Sequence, residues 1–247
     1  MNRAIDILEL FLAQQTLSAP EVTQRLGLPR TTVHELLTTL TERQYLVPVS
    51  DQPTRYRLGI RLFQLGGAFA EQLDLATEAR EAAREVADSC DETVHVAVLD
   101  GTDVVYIAKV DSTHPVRMVS AVGRRVAAHC TGVGKVLLSG LSPEALEARY
   151  PRGASLPVMT PYSIATPAAL RAHLAEVRAR GVAYDECESN EAVNCVAAPV
   201  YDDSGTMVAA MSISVPALRW NDDVRARWTE LVRRGATILS QRLGYQP

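Results

Sequence analysis

Residues 18–40, SAPEVTQRLGLPRTTVHELLTTL, constrain this chain most, because they encode two short helices with a tight break between them. Ser18 and Glu21 stand in S-x-x-E spacing, so Ser18 caps a helix while Glu21 reaches back to its amide. Pro20 falls in the first turn, where a missing amide has no intrahelical partner to lose. Gly27 supplies the left-handed residue that ends this helix, and Leu28-Pro29 restarts the chain. Val22 and Leu26 give the first helix an apolar face, and Val33, Leu36, Leu37 and Leu40 give the second one a stripe. Between the break and that stripe lie Arg30, Thr31, Thr32 and His34, polar and close to the second helix's N-terminus. A recognition helix meets a DNA major groove in this way. Taken alone, the pair fits a helical hairpin in an unrelated core equally well.

The flanks favour the DNA reading. Ala4, Ile5, Leu8, Phe11 and Leu12 fit one face of a preceding helix. Tyr45-Leu46-Val47 and Arg55-Tyr56-Arg57-Leu58 read as strands joined by the turn Ser50-Asp51-Gln52-Pro53, with Tyr56 and Leu58 inward and Arg55 and Arg57 outward. Three helices and a two-stranded wing make a winged helix-turn-helix. Its charge is balanced: Arg3, Arg25, Arg30, Arg43, Arg55 and Arg57 face Asp6, Glu9, Glu21, Glu35, Glu42 and Asp51, six against six. One copy with few phosphate contacts binds weakly, so useful affinity requires two copies at a fixed spacing. Ile60, Leu62, Phe63, Leu65, Phe69 and Leu73 cover more of a helix than one core-facing stripe needs. A linker helix pairing with its twin explains the excess, and burial within one subunit explains it comparably well.

From residue 74 the pattern is that of a mixed α/β domain. Ala76, Ala79, Ala83, Val86 and Ala87 line a helix ending near Ser89. Strands are expected over 94–99 and 104–110, joined at Asp100-Gly101, and over 116–122. Helices follow over 131–138 and 143–150, then an irregular stretch over 151–162, then a helix from Thr166-Pro167 to Arg180 that stops at Gly181. Strands over 182–185, 196–201 and 207–215 precede a closing amphipathic helix over 224–243. Hairpin-joined strands with helices before, between and after them indicate an antiparallel sheet flanked by helices.

Composition bounds what such a chain does. With 247 residues and 47% hydrophobic content it buries a core, and its net charge of −4 makes it no bulk polyanion binder. No stretch is apolar enough to span a bilayer, and Met1 leads directly into an amphipathic segment rather than a signal peptide. Cys90, Cys130, Cys187 and Cys195 form no close pair and are expected to be reduced, in the cytoplasm.

Residues 123–135, GRRVAAHCTGVGK, invite a nucleotide-binding assignment and fail it. His129 stands where a P-loop needs its first glycine, and Val136 where it needs Ser or Thr. Thr131-Gly132-Val133-Gly134 reads better as a loop entering a helix N-terminus, where amides and dipole favour an anion such as a metabolite carboxylate. A plain helix cap is the alternative. Ser212 and Ser214 share one face of a strand by period two, and with Asp185 and Cys195 they can ring a pocket. The contrary reading leaves the serines and the acidic loop 186–191 in water. A cysteine-dependent hydrolase built on Cys130 or Cys195 with His129 lacks an elbow motif, and the Cys and His residues lack metal-ligand spacing. No catalytic residue, metal ligand or cofactor is therefore assigned.

Over essentially its whole length the chain resembles IclR-type transcriptional regulators. GLPRTTVHELLTTL looks like the family's recognition helix and YRLGIRLFQLG its wing-to-linker signature. VGRRVAAHCTGVGKVLL, VAYDECE, CVAAPVYDDSG and AAMSISVP are similar to its effector-domain motifs. The resemblance implies an α+β chain of two domains, a winged helix-turn-helix over 1–60 and a GAF-like effector domain over 74–247, joined by a dimerisation helix over 61–73. It implies dimers or tetramers whose binding to a double-stranded operator responds to a small molecule, often an organic acid. Arg30, Thr31, Thr32, His34, Arg55 and Arg57 are the DNA-contacting candidates. Thr131, Gly132, Asp185, Cys195, Ser212 and Ser214, with neighbouring His129 and Cys130, are the effector candidates, and the strand holding Met118 supplies an apolar wall. Two positions depart from the pattern. Glu35 replaces the usual arginine of the recognition helix, and 191–194 lacks the usual glycine before Cys195.

Overall fold

The computed structural model describes residues 2–49, 54–65, 75–118 and 120–246. The chain divides into two compact units, Met1–Leu73 and Asp74–Pro247.

In the first unit α1 (Asn2–Ala13), α2 (Ala19–Leu26) and α3 (Arg30–Glu42) pack with a sheet of β1 (Leu17–Ser18), β2 (Leu46–Val49) and β3 (Arg55–Leu58), ordered β1-β3-β2 and antiparallel throughout. Gly27 ends α2 at φ 63°, as its sequence position requires. The core is Ile7, Phe11, Leu17, Val22, Val33, Leu37, Leu40 and Leu46. Ile7 and Phe11 are one turn apart and carry the buried face of α1, whereas Ile5, expected on that face, is exposed. The two-residue β1 was not expected, since it is too short to show any alternation.

The wing differs from expectation at two residues. Tyr56 packs against the core, but Leu58 is exposed. Arg55, expected outward, is half-buried: its Nε donates to Thr16 Oγ1 at 3.0 Å, its Nη2 to the Thr16 carbonyl at 2.9 Å, and it pairs with Glu21 at 3.1 Å. The physical cause is Glu21, already held at Ser18 as a helix-capping group, which offers a carboxylate beneath the strand. The turn expected at 50–53 lies outside the described residues. Residues 60–65 are helical, with Ile60, Phe63 and Leu65 exposed. Phe69 and Leu73 lie outside the described residues.

The second unit is a six-stranded antiparallel sheet ordered β6-β5-β4-β9-β8-β7. Its strands are β4 (Thr93–Asp100), β5 (Asp103–Val110), β6 (Arg125–Ala127), β7 (Ala183–Glu186), β8 (Val193–Tyr201) and β9 (Met207–Pro216). One face meets α4 (Leu75–Cys90) and α8 (Asp222–Arg242), through Ala83, Val86, Val94, Val196, Met211, Ile213, Trp228 and Val232 among others. The other meets α5 (Gly132–Ser139), α6 (Pro143–Arg149) and α7 (Pro167–Arg180), through Val133, Leu138, Leu146, Leu170, Leu174, Ala183 and Ala197.

The strand expected over 116–122 does not form. Of its described residues Val116 lies in a bend, Val122 in a turn and the others in irregular chain, with Val116 and Val122 exposed, so Met118 sits on no strand. The chain joins the sheet only after Gly123, whose φ of 83° makes a turn; its amide donates to the Tyr106 carbonyl, and the Tyr106 amide to that of Arg124. Strand β6 then pairs with β5 over Arg125–Ala127.

A single-turn 3-10 helix, Ala128–Cys130, leads into α5, and Gly134 permits the junction. A Cβ on Gly134 would lie 2.1 Å from the Ala128 carbonyl oxygen and 2.4 Å from its Cα, so neither backbone can give way cheaply. Gly134→Ala is therefore expected to destabilise the second unit by about 3 kcal/mol, the upper range for overpacking, in a denaturant titration. Gly27→Ala, where no atom lies within 4 Å of the added Cβ, is strained only by its left-handed backbone and costs less.

Candidate DNA-reading helix and effector site

Helix α3 buries Val33, Leu37 and Leu40, and so turns the opposite side outward. Arg30, Thr31, His34 and Glu35 are exposed and Thr32 is half-buried. Thr31, His34, Glu35 and Thr38 are spaced at i, i+3, i+4 and i+7, which places them on one face. Pro29 precedes the helix and offers no side-chain cap, leaving first-turn amides open to an incoming acceptor. Among the described residues Arg30, His34 and Arg57 make no ion pair, while Arg55 is committed to Thr16 and Glu21. The Ser18 amide and hydroxyl, with Arg55, hold the Glu21 carboxyl down from 4.5 to about 2.

In the second unit a polar strip crosses the face of the sheet that meets α5. Register places Asp185 opposite Cys195, Cys195 opposite Ser214, and Ser214 opposite Thr93. One pair further along, Ser212 lies opposite His95, and His95 opposite Lys109. Asp185, Cys195, Ser212, Ser214, Thr93 and His95 are all buried, so the serines do not face water. Burial requires partners, and the strip supplies them in sequence. The Cys195 thiol donates to Ser214 Oγ at 3.2 Å, Ser214 Oγ lies 3.3 Å from His95 Nδ1, and His95 Nε2 lies 2.6 Å from Ser120 Oγ. The consistent assignment has Ser214 donating to Nδ1 and a neutral His95 donating from Nε2. Burial, then the Lys109 charge, pushes His95 down to about 3, and its ring stacks on Tyr106 at 4.5 Å.

Thr131 caps α5 by accepting from the Gly134 amide at 3.1 Å. Gly132 rests on the strip, where a Cβ would come 3.3 Å from Ala197 Cβ and 3.7 Å from Cys195 Cβ. The fold thus gathers Thr131, Gly132, Asp185, Cys195, Ser212 and Ser214. His129 and Cys130 instead turn to the loop before α7, with His129 Nε2 at 2.8 Å from the Pro157 carbonyl. Met118 lines a separate cavity of about 270 Å³, with Tyr106, Arg124, Val126, Ser189, Asn190 and Val193 in its wall. Tyr106, stacked on His95, joins cavity to strip.

Asp185 accepts from the Glu188 amide at 2.7 Å, the Ser189 amide at 3.3 Å and Ser189 Oγ at 2.5 Å. Burial outweighs these donors and raises its carboxyl to about 6. Beside it, the fully buried Lys135 pairs with Glu188. His95, Tyr106, Lys135 and Glu188 escaped the sequence reading. His95 shares a face with Thr93 by the same period-two argument applied to Ser212 and Ser214, and Lys135 breaks an otherwise apolar run; both signals were present.

Neither thiol is poised for nucleophilic work. Cys130 lies 3.1 Å from His129 Nε2, closer than adjacent side chains usually align. That nitrogen also contacts the Pro157 carbonyl, so it carries the proton and is no base. Burial pushes Cys130 up to about 11, and burial together with Asp185 pushes Cys195 higher still. Among the described residues no cluster of His, Cys, Asp or Glu could hold a metal ion, and no helix is long and apolar enough to cross a membrane.

Residues 2–50 match the IclR helix-turn-helix domain, and residues 67–241 match the family described as bacterial transcriptional regulator IclR C-terminal. The chain belongs to the IclR family. It is a DNA-binding transcriptional regulator with a C-terminal effector-binding domain, not an enzyme. It is 33% identical to the HTH-type transcriptional regulator XynR of Escherichia coli over 246 residues, covering 99% of this chain and 97% of that protein. It is 30% identical to the transcriptional repressor IclR of Escherichia coli over 239 residues, covering 96% of this chain and 86% of that protein. The solved repressor BlcR of Agobacterium tumefaciens superposes with a TM-score of 0.90 at 31% identity, covering 100% of this chain and 97% of that one. Nothing in these relatives supports the hydrolase alternative.

Two pH effects follow for this regulator. The Glu21 carboxyl, held down in the folded state, contributes stability that is present above pH 4.5 and lost as pH falls toward 2. Glu21→Gln should flatten unfolding of the first unit across that window. Asp185 has the opposite sign. Its raised value means the wild type loses stability, relative to Asp185→Asn, as pH rises from about 4 through about 6. Paired thermal unfolding curves check both; a wild-type-minus-variant difference independent of pH contradicts the assignment.

Proposed function

We propose that the regulator reads a double-stranded operator with the exposed face of α3, and that a small carboxylate bound in the second unit changes this binding. Arg30, Thr31, Thr32 and His34 contact bases and phosphates at the α3 N-terminus, where the helix dipole and open amides add attraction for phosphate. Arg57 reaches backbone from the wing. Arg55 stands beside it as a half-exposed contact whose first role is to hold Glu21. Glu35, on the same face, repels phosphate but can accept from a cytosine amino group, and so biases the operator toward that base.

The observation that carries the reading is the exposed polar face of α3 on a head with no bulk positive charge. A head of this kind binds weakly alone and needs a second copy at fixed spacing. Exposed Ile60, Phe63 and Leu65 on the helix after the wing are suited to pairing in a homodimer, or in a tetramer built from two such dimers. In the second unit the ligand enters by the cavity at Met118 and Tyr106. Its carboxylate meets the Thr131-Gly132 turn at the head of α5, with Asp185, Cys195, Ser212 and Ser214 around it and His129 and Cys130 behind the turn. The regulator works in the cytoplasm, where its operator is.

Binding to the promoter region beside its own gene should fall by roughly tenfold to a hundredfold in the Arg30→Ala, Thr32→Ala variant, with a salt slope shallower by about 0.9 for the lost phosphate contact. A mobility-shift titration at several salt concentrations measures both quantities, and unchanged affinity sinks the assignment of α3. Phe63→Glu should separate the copies in analytical ultracentrifugation and weaken operator binding while leaving each unit folded.

A further inference from the structure

Lys135 has no solvent exposure, although its neighbours in α5, Val133, Val136, Leu137 and Leu138, are all apolar. Its ammonium is paired with Glu188 Oε1. The second oxygen, Oε2, is buried and accepts no hydrogen bond among the described residues. A buried ion pair holds together best when every remaining lone pair finds a donor, and here one does not. The arrangement is thus a buried cation resting on one carboxylate oxygen, with the other oxygen of that carboxylate left without a donor among the described residues.

Besides this ion pair, the Glu188 side chain is held among the described residues only by the Glu186 amide, which donates to Oε1 at 3.5 Å. The backbone around it has its own attachments: the Glu188 amide donates to Asp185, and its carbonyl accepts from Thr160 Oγ1 at 3.2 Å and Ser163 Oγ at 2.7 Å. The residues that follow, Ser189 and Asn190, line the 270 Å³ cavity. Ser189 Oγ also donates to Asp185. The cavity wall therefore begins at Ser189, the residue directly after the counter-ion of Lys135.

We propose that Lys135 is a carboxylate-binding cation which Glu188 occupies in the ligand-free protein, and that a small monocarboxylate entering at Ser189 and Asn190 takes Glu188's place. This rests on the effector reading of the second unit and amends it at one point: the carboxylate is held by the Lys135 ammonium rather than by the amides of the Thr131-Gly132 turn. The exchange is balanced in charge, because one carboxylate leaves the buried ammonium as another arrives. A neutral amide of the same shape cannot make the exchange, since it would leave Lys135 buried and uncompensated. Freed from Lys135, Glu188 moves toward solvent and shifts the 186–192 loop, giving the ligand a state it prefers.

The test is chemical rescue on the full chain. Glu188→Ala should lower the unfolding temperature. Sodium acetate should restore it saturably, with a midpoint in the millimolar range and a larger rise than in wild type, whereas sodium chloride and acetamide at matched concentration should not. Adding Lys135→Met to Glu188→Ala should abolish the rescue. Acetate acting on Glu188→Ala no more than chloride does, or equally on the double variant, overturns the proposal. If Glu188→Ala does not fold, Glu188→Gln keeps the side chain's shape. Calorimetry should then show benzoate binding at least tenfold tighter than to wild type, and benzamide unchanged. Equal benzoate affinity in the two proteins, or binding to neither, overturns the proposal. Operator binding by the wild type, measured with the same acids, separates the two levels. Release without rescue leaves the sensor reading standing and removes only Lys135.

Discussion

The contact between α5 and the sheet is the constraint on which the second unit depends. Gly134 lets the helix start against the Ala128 backbone, and Gly132 lets it rest on Ala197 and Cys195. A Cβ at Gly134 would run into the Ala128 backbone and displace the helix start, and one at Gly132 would press to 3.3 Å from Ala197 Cβ, beside the strip formed by Asp185, Cys195, Ser212, Ser214 and His95. The sheet is two-faced for this reason. Against α4 and α8 it packs aliphatic side chains in the ordinary way. Against α5 it buries a row of groups that each need a partner, and the helix start brings Thr131 and Lys135 down to that row. A purely structural sheet gains nothing from such a face, because apolar residues of equal volume pack as well without the desolvation cost. A buried polar row beside a cavity is what a selective pocket for a small polar ligand requires.

The two-domain plan was legible because its signals are local. The capping residues of α2, the Gly27 break and the α3 stripe each follow from a few adjacent residues, and all three formed as read. So did the helix stop at Gly181 and the β4–β5 hairpin. What failed was non-local or marginal. Residues 116–122 carry strand-like composition, yet pairing with β5 waits for the turn at Gly123, a choice made by the neighbouring strand rather than by the segment. Ile5 and Ile7 lie on nearly opposite faces of α1, and only packing within the unit decides that the face carrying Ile7 is the buried one. Arg55 turned inward because Glu21, distant in sequence, was already waiting as a capping carboxylate.

The candidate site was legible in its helix start and strand residues, and not in its buried ion pair. Thr131, Gly132, Asp185, Cys195, Ser212 and Ser214 converge as strand alternation and the helix cap suggested. Lys135 and Glu188 were passed over because a lysine in a helix and a glutamate in an acidic loop read as solvated by default. Only the packing shows that α5 is covered on all sides, which turns an ordinary lysine into a buried charge that must find an anion. His95 was missed for a related reason: strand periodicity fixes its face, but not that the diagonal Ser214 and Ser120 beyond β5 would leave it neutral and hydrogen-bonded at both nitrogens.

These two halves place different demands on free energy. The head carries six positive and six negative side chains over its first sixty residues, so its DNA affinity has little electrostatic reserve. In the proposed reading, affinity then comes from holding two heads at the operator's spacing, and spacing is a geometric property that a small rearrangement can destroy. A head with a large positive charge would stay on DNA through such a change; a neutral one does not. The ligand therefore needs only a modest preference for one arrangement to shift occupancy, since a difference of about 1.4 kcal/mol between states is already tenfold. Exchange of one carboxylate for another on a buried lysine is suited to a preference of that size. The full desolvation cost of the charge was met on folding, and only the difference between two partners remains to be divided between the states.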